Sequence, residues 1–206
     1  MKVLLINGSP KVHGCTYTAL EEIAGELQKQ GIDTEIFHVG NKPIRGCMGC
    51  GVCRSLSGKC TFDDTVNVAL LKAKEADGFI FGSPVHYAAP SGQITSFLDR
   101  FFYAGSGYQY KPGAVIVSCR RGGSTAAFDQ LNKYLTISSM PVVSSQYWNM
   151  VHGNNPEEVR QDLEGMQTMR TLGKNMAWLL KSIQAGKEAG ISLPEEEERL
   201  RTNFIR

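Results

Sequence analysis

The chain has 206 residues, of which 42% are hydrophobic, and this length fits one domain with a full core better than two. Its formal net charge is only +2 and its Lys and Arg residues are scattered, so nothing in the sequence indicates a nucleic-acid-binding face. The sequence has neither an apolar run of membrane-spanning length nor a leader-like N-terminus, and its six cysteines do not resemble a secreted disulfide framework. We therefore expect a soluble cytoplasmic protein without a membrane segment.

Apolar runs of strand length alternate with segments of helical periodicity. The first run, 3–6, is continuous, which is typical of a strand buried on both faces of a parallel sheet. The predicted elements in chain order are strand 3–6, helix 16–30, strand 34–39, helix 65–74, strand 78–81, helix 91–103, strand 114–118, helix 124–135, a weaker strand 142–145 and helix 156–183. This alternation favours a doubly wound α/β fold with a five-stranded parallel sheet. We expect the domain to span 1–185, followed by a tail, 186–206, that is solvated or contacts another subunit.

Four cysteines lie close together in an inserted loop, 46–61, which follows the second strand and is expected at its carboxyl end. Their spacing is C-x2-C-x2-C-x6-C, and thiolates set so closely suit the neighbouring iron atoms of an iron–sulfur cluster. A structural zinc site and four cysteines without metal remain alternatives. The candidate ligands are Cys47, Cys50, Cys53 and Cys60.

The loop after the first strand has the composition of a phosphate cradle. Ligands of such sheets bind beyond the carboxyl ends of the strands, where this loop enters a helix. Hydroxyls of Ser9 and Thr16, the charge of Lys11 and free N–H groups at the helix start would bind an anion. The sequence there is neither a P-loop nor G-x-G-x-x-G, and an ordinary capped turn is the alternative.

Two further loops at the same edge complete a candidate ligand site. After the third strand, His86 and Tyr87 offer flat faces to a planar ring system. After the fourth, residues 118–123 offer backbone amide donors for the polar edge of such a ring. The joint occurrence of the three loops favours a phosphorylated heteroaromatic ligand over separate structural roles.

The residues of these loops resemble the flavodoxin-like NAD(P)H-dependent FMN reductase superfamily over about residues 1–180. The matching runs are INGSPKVHGCTYTAL, GSPVHYAAPSGQITSFLDR and the loop at 118–123. With the cysteine loop added, the chain is similar to the iron–sulfur flavoprotein family within that superfamily. The resemblance implies a flavodoxin-like, three-layer α/β/α fold, bound FMN, a [4Fe–4S] cluster on the four cysteines, and a homodimer or homotetramer.

The resemblance also implies which residues contact FMN. The phosphate would be surrounded by Ser9, Lys11, Cys15, Thr16 and Tyr17, the isoalloxazine lined by Pro84, Val85, His86 and Tyr87, and its pyrimidine side approached by Ser118, Arg120, Gly122 and Gly123. No side chain is expected to act as an acid or base, because the flavin carries the chemistry.

The leading hypothesis for function is an oxidoreductase that uses the cluster and FMN to reduce a small acceptor. Quinones, dioxygen, hydrogen peroxide and nitroaromatics are the candidate acceptors, and a protein such as ferredoxin is the candidate donor. The second hypothesis is a cluster-free NAD(P)H-dependent flavin, quinone or azo reductase. Two further hypotheses are not enzymatic: a flavodoxin-like electron carrier and a zinc-stabilised binding module.

Overall fold

The computed structural model of the chain describes residues 1–204, which form a mainly parallel sheet between two layers of helices. The strands are β1 (Lys2–Asn7), β2 (Asp33–His38), β3 (Gly78–His86), β4 (Ala89–Pro90), β5 (Gly113–Cys119) and β6 (Met150–His152). The helices are α1 (Cys15–Lys29), α2 (Thr65–Ala73), α3 (Gly92–Ala104), α4 (Ser124–Ile137), α5 (Pro156–Gln161) and α6 (Leu163–Glu188), with a short 3₁₀ helix at Val52–Ser55.

The parallel strands lie in the order β2-β1-β3-β5-β6. This is the flavodoxin-like doubly wound order, so the predicted fold class is confirmed. The sheet has one strand more than predicted, because β3 continues through Pro84 to His86 and turns back as the short antiparallel β4.

Side chains of β1 show why both faces of the sheet are covered. Leu4 and Ile6 point to one face and pack with α2, α3 and α4, whereas Val3 and Leu5 point to the other and pack with α1, α5 and α6. All four side chains have no exposed surface. Alternate residues of a strand point to opposite faces, so a continuous apolar run is required where helices cover both.

The predicted strand at 142–145 is wrong. Val142 forms only an isolated bridge with Gly113, at the start of β5. The edge of β5 is instead occupied by β6, whose residues 150–152 pair with Val117–Cys119 and include the fully buried Val151. Val142 is 43% exposed. Its high β propensity therefore does not lead to a strand here, because such propensity depends on burial of the side chain against neighbouring strands.

The predicted helix at 156–183 is divided in two and ends later. Asp162 lies between α5 and α6, and its carboxylate accepts hydrogen bonds from the backbone N–H groups of Gly165 at 2.9 Å and His152 at 2.7 Å. It therefore serves as the N-cap of α6 and ties this helix to β6.

Helix α6 continues to Glu188, past the expected domain end at 185, and residues 189–204 form no further helix or strand. The last two residues of the expected tail lie outside the described residues, and the division into domain and tail stays a prediction. Over residues 1–204, the structure has no helix with the length and apolar character needed to cross a membrane.

Candidate active site

The loop after β1 is held by short-range hydrogen bonds. Asn7 Oδ1 accepts from the N–H of Ser9 at 3.1 Å, and Ser9 Oγ accepts from the N–H of Lys11 at 3.1 Å. Gly14 precedes α1 in an extended conformation, and its position provides no side chain to cap the helix. The first N–H groups of α1 are therefore available to an anion.

The second loop is the tip of the β3–β4 hairpin. Val85 pairs with Pro90 and His86 with Ala89, which leaves Tyr87 at the turn. Tyr87 has a φ of +57°, and its side chain is fully exposed. A non-glycine residue in this left-handed region costs about 1–3 kcal/mol, so the hairpin projects this aromatic ring outward at a cost in backbone energy.

The three loops are linked by buried hydrogen bonds. Thr16 Oγ1 and Ser118 Oγ are 2.9 Å apart, which joins the start of α1 to the end of β5. Ser91 Oγ donates to the carbonyl of Gly8 at 2.9 Å, which joins the hairpin to the first loop. The third loop meets the hairpin at Gly123, where a Cβ atom would lie 2.9 Å from the carbonyl oxygen of Tyr87.

These loops enclose a cleft at the carboxyl edge of the sheet, called here the edge cleft. It consists of two adjoining cavities of about 240 and 280 Å³ that share Val85, Cys119 and Arg120. Most of the predicted FMN contacts line it: Ser9, Lys11, Cys15, Thr16, Pro84, Val85, His86, Tyr87, Ser118, Arg120 and Gly122. Tyr17 and Gly123 do not, since Tyr17 packs edge-on against His13 and Gly123 precedes α4.

The sequence reasoning missed a buried thiol at the floor of this cleft. Cys119 Sγ lies 3.3 Å from Nδ1 of His152, and burial raises the pKa of the thiol. Cys15 lies nearby and donates a hydrogen bond to the carbonyl of Gly153 at 3.6 Å, and burial also raises its thiol pKa. Both thiols are thus held in their neutral form. The signal that could have located Cys119 is its place at the end of a buried strand.

The cysteine loop begins after β2 but does not stay at the carboxyl edge. It runs along α3. At the start of this helix, the side-chain amide of Gln93 donates a hydrogen bond to the carbonyl of Lys42, which precedes the loop. At the other end, Cys53 Sγ donates to the carbonyl of Tyr103 at 3.5 Å. The expected position at a strand end is therefore right only for the residues around Lys42 that lead into the loop.

All four predicted ligands line one cavity of about 180 Å³, called here the cysteine cavity. Cys47 and Cys50 are exposed, whereas Cys53 and Cys60 are half-buried. Gly49 and Gly51 have φ angles of +65° and +71°, which let the chain bend between successive cysteines. Among residues 1–204, no three His, Cys, Asp or Glu side chains converge closely enough to hold a metal ion, so the thiols share a cavity without converging on one point.

A buried arginine forms the inner wall of the cysteine cavity. Arg100 is 1% exposed and makes a bidentate ion pair with Asp64, with N–O distances of 2.6 and 2.8 Å. Its Nε donates to Cys60 Sγ at 3.2 Å. Burial opposes the guanidinium charge, but the hydrogen bonds to Asp64 and Cys60 outweigh it and raise the pKa of Arg100.

Asn67 fixes the backbone at the end of the same loop. Its Oδ1 accepts from the N–H of Cys60 at 2.8 Å, and its Nδ2 donates to the carbonyls of Cys60 and Phe62, both at 3.0 Å. Sequence reasoning identified neither Asn67 nor Arg100, because their partners lie on other segments of the chain.

Comparison with known proteins agrees with this geometry. The family model of the NADPH-dependent FMN reductases matches residues 1–155. An iron–sulfur flavoprotein of Methanocaldococcus jannaschii is 35% identical over 89% of this chain and its own entire length. Another, of Archaeoglobus fulgidus, is 32% identical over 82% of this chain and 86% of its own. An archaeal flavodoxin has a similar fold, with a TM-score of 0.60 at 16% identity over 88% of this chain and 99% of its own.

The resemblance inferred from the three edge loops is thereby confirmed. The family match covers the whole edge cleft, from the loop after β1 to β6. Both iron–sulfur flavoproteins extend the similarity over most of the chain. The chain therefore belongs to the NADPH-dependent FMN reductase family, groups there with the iron–sulfur flavoproteins, and is a flavin-dependent oxidoreductase.

Proposed function

We propose that this oxidoreductase uses FMN in the edge cleft and a [4Fe–4S] cluster on Cys47, Cys50, Cys53 and Cys60 to transfer electrons to a small acceptor. The acceptor would be a quinone, dioxygen, hydrogen peroxide or a nitroaromatic, with ferredoxin as a protein donor and NAD(P)H as a further co-substrate. The observation that carries the proposal is that all four cysteines of one short loop line a single cavity.

The residues around the cysteine cavity fit an iron–sulfur cluster. Four thiolates are the usual ligand set of such clusters, and they require flexible backbone between closely spaced ligands. Two exposed and two half-buried cysteines on a glycine-rich loop meet that requirement, since Cys47 and Cys50 can move onto the metal while Asn67 holds the backbone of Cys60 in place. Nε of Arg100, which donates to Cys60 Sγ, would provide a hydrogen bond to this ligand.

The edge cleft fits FMN. The N–H groups at the start of α1 and the hydroxyls of Ser9 and Thr16 would bind the phosphate, while Val85 and the hairpin would cover the ring. When bound, FMN exchanges electrons in pairs or singly and the cluster exchanges them singly, so together they link the two kinds of transfer. The protein's part is to bind, orient and limit the access of water.

The separation of the two sites supports assembly with a second copy of the chain. Arg100 and Tyr103 at the cysteine cavity lie 9–12 residues beyond Ser91, which contacts the first edge loop. At about 1.5 Å per residue, the axis of α3 separates the two sites by roughly 14–18 Å. The outer cysteines are exposed, so a homodimer or homotetramer that sets this cavity against a partner's cleft would shorten the path.

Anaerobic purification of the wild-type protein tests the proposal directly. We expect bound FMN, together with about four iron and four sulfide per chain and broad visible absorption beneath the flavin bands. Cys50→Ser should lose most of the iron and keep the flavin, because Cys50 is exposed and lies away from the edge cleft. Lys59→Ala, an exposed change in the same loop, is the control and should retain both.

Three outcomes separate the candidate functions. Flavin without iron in the wild-type protein contradicts the cluster and, with rapid NAD(P)H oxidation, indicates a cluster-free reductase. Iron that persists in Cys50→Ser contradicts the ligand assignment. Failure to retain or take up FMN contradicts the proposal as a whole. Turnover of the iron-loaded protein with each acceptor class, measured with reduced ferredoxin and with NAD(P)H, then identifies donor and acceptor.

A further inference from the structure

We propose that Arg100 is a positioning residue that sets the reduction potential of the cluster through its hydrogen bond to the sulfur of Cys60. The inference rests on the proposed function, since it requires the four cysteines to hold a cluster. The inference goes beyond the proposed function because it makes the four ligands unequal. Cys60 is the ligand through which the protein adjusts the reduction potential of the cluster.

The hydrogen bonds of the guanidinium fix its orientation. Its terminal nitrogens make the bidentate pair with Asp64 and also donate to the carbonyls of Arg45 at 3.2 Å and Phe62 at 3.3 Å. The guanidinium is planar with five N–H donors in a fixed fork, so four contacts at one end determine where Nε points. The remaining donor points at Cys60 Sγ, at 3.2 Å.

The surroundings make this hydrogen bond effective. Arg100 is 1% exposed, so water does not compete for Nε. A donor beside a cluster sulfur stabilises the reduced state, which carries one more negative charge and gains no proton, and this makes the reduction potential more positive. Asp64 balances the charge of Arg100, so the local effect comes mainly from the directed N–H group.

Within residues 1–204, the structure shows no charged, buried donor at Cys47, Cys50 or Cys53. Cys47 Sγ accepts from the backbone N–H of Gly49 at 3.4 Å, a longer contact within an exposed turn. Cys53 Sγ donates to the carbonyl of Tyr103, and that contact would be lost when the thiol gives up its proton to become a ligand. Cys60 therefore has the charged, buried donor of the set.

The test is an anaerobic redox titration of iron-loaded protein, followed by the electron paramagnetic resonance signal of the reduced cluster. Arg100→Lys keeps the charge but lacks the Nε donor. We expect the ratio of reduced to oxidised cluster at a fixed potential to fall about tenfold, which corresponds to a reduction potential about 59 mV more negative. Asp64→Asn keeps a residue that caps α2 but removes the counter-charge, so its potential should become more positive.

Arg54→Gln is the matched control. Arg54 is an exposed arginine on the wall of the same cavity, and loss of its water-screened charge should shift the potential much less than Arg100→Lys. Iron content and thermal unfolding of each variant establish that the same cluster and fold are being compared.

The outcomes distinguish this inference from the proposed function. A wild-type protein that takes up no iron contradicts the proposed function and this inference with it. Iron-loaded Arg100→Lys with the wild-type potential, or a shift equal to that of Arg54→Gln, overturns only the role of Arg100. If Arg100→Lys fails to fold or to hold iron, Asp64→Asn decides alone, and an unchanged or more negative potential overturns the inference.

Discussion

The edge cleft is lined by loops that leave buried strands and are tied to one another, whereas the cysteine cavity is lined by a loop of mostly exposed residues beside α3. In the cleft, the side chains of Thr16 on α1 and Ser118 on β5 are joined by a buried hydrogen bond. In the cavity, Cys60 is anchored by Arg100 and Asn67 while Cys47 and Cys50 are exposed. The comparison indicates that the scaffold forms the edge cleft in advance, whereas the proposed cluster would have to draw the four cysteines together as it binds.

The largest effect should come from breaking the cleft at Gly123, which has a φ of +84°. Gly123→Ala adds a Cβ atom 2.9 Å from the Tyr87 carbonyl and the Ala88 Cα, and the left-handed backbone adds about 1–3 kcal/mol of strain. We expect FMN affinity, measured by fluorescence titration, to fall roughly tenfold to a hundredfold while iron uptake is unchanged.

Gly122→Ala is the control for that substitution. A Cβ atom at Gly122 meets no other atom within 4 Å, and its φ lies outside the left-handed region. Gly122 itself lines the cleft, so this variant adds a methyl group there without the backbone strain or the close contact at Gly123, and we expect a smaller loss of FMN affinity than in Gly123→Ala. Equal losses in both variants would show that the loop, rather than its contact with the hairpin, determines affinity.

The next largest effect concerns the cysteine loop, which we expect to become ordered only when metal binds. Trypsin should cleave the cysteine loop, at sites such as Arg54 and Lys59, about tenfold more slowly in iron-loaded than in iron-free protein, because metal binding orders exposed backbone. FMN alone should leave this rate unchanged. Gel electrophoresis measures the rate of cleavage. Equal rates with and without iron would mean that the loop is already rigid in the iron-free protein.

A smaller effect measures how firmly the cleft is preformed without ligand. Thr16→Val and Ser118→Ala each remove one partner of the 2.9 Å hydrogen bond, and each should lower the free energy of unfolding by about 1–2 kcal/mol. Urea unfolding of both single variants and the double variant should give a coupling energy of about 1 kcal/mol. A coupling near zero would contradict the view that this contact joins α1 to β5.

The smallest effect lies at Glu35 on β2, which pairs with Lys72 at 2.5 Å and Lys2 at 2.9 Å. The hydrogen bonds from Lys72 and Lys2 lower the pKa of this carboxyl. A lowered pKa contributes stability above the unfolded value of about 4.3, and this contribution is lost as the pH falls below it. Glu35→Gln should cost about 0.5 kcal/mol at pH 7 and less at lower pH in urea unfolding, with both cofactors unaffected.

The strands and the edge loops could be predicted because their signals are local. The apolar run at Val3–Ile6 and the turn residues after it determine a buried strand followed by a binding loop. The signal failed where distant partners decide. Val142 and Val143 have higher β propensity than Met150 and His152, yet Val142 makes only a single bridge at the start of β5, whereas residues 150–152 pair with β5 as a strand.

The inner wall of the cysteine cavity was unpredictable for the same reason. Arg100 lies 36 residues from Asp64 and 40 from Cys60 in the chain, and an arginine at the end of a helical run is usually solvated. Similarly, the helical stripe after Pro156 gave no sign that Asp162 would cap a new helix, because its second partner, His152, belongs to β6.

The hydrogen bonds of Asn67 bear on how this binding loop could be transplanted. Three of its contacts hold the backbone around Cys60, and they come from α2 rather than from the loop. A protein engineer who moves residues 46–61 alone into another scaffold carries the sulfur atoms but leaves behind the template that orients the last of them. The smallest portable unit therefore includes the first turn of α2 and a matching arginine on the adjacent helix.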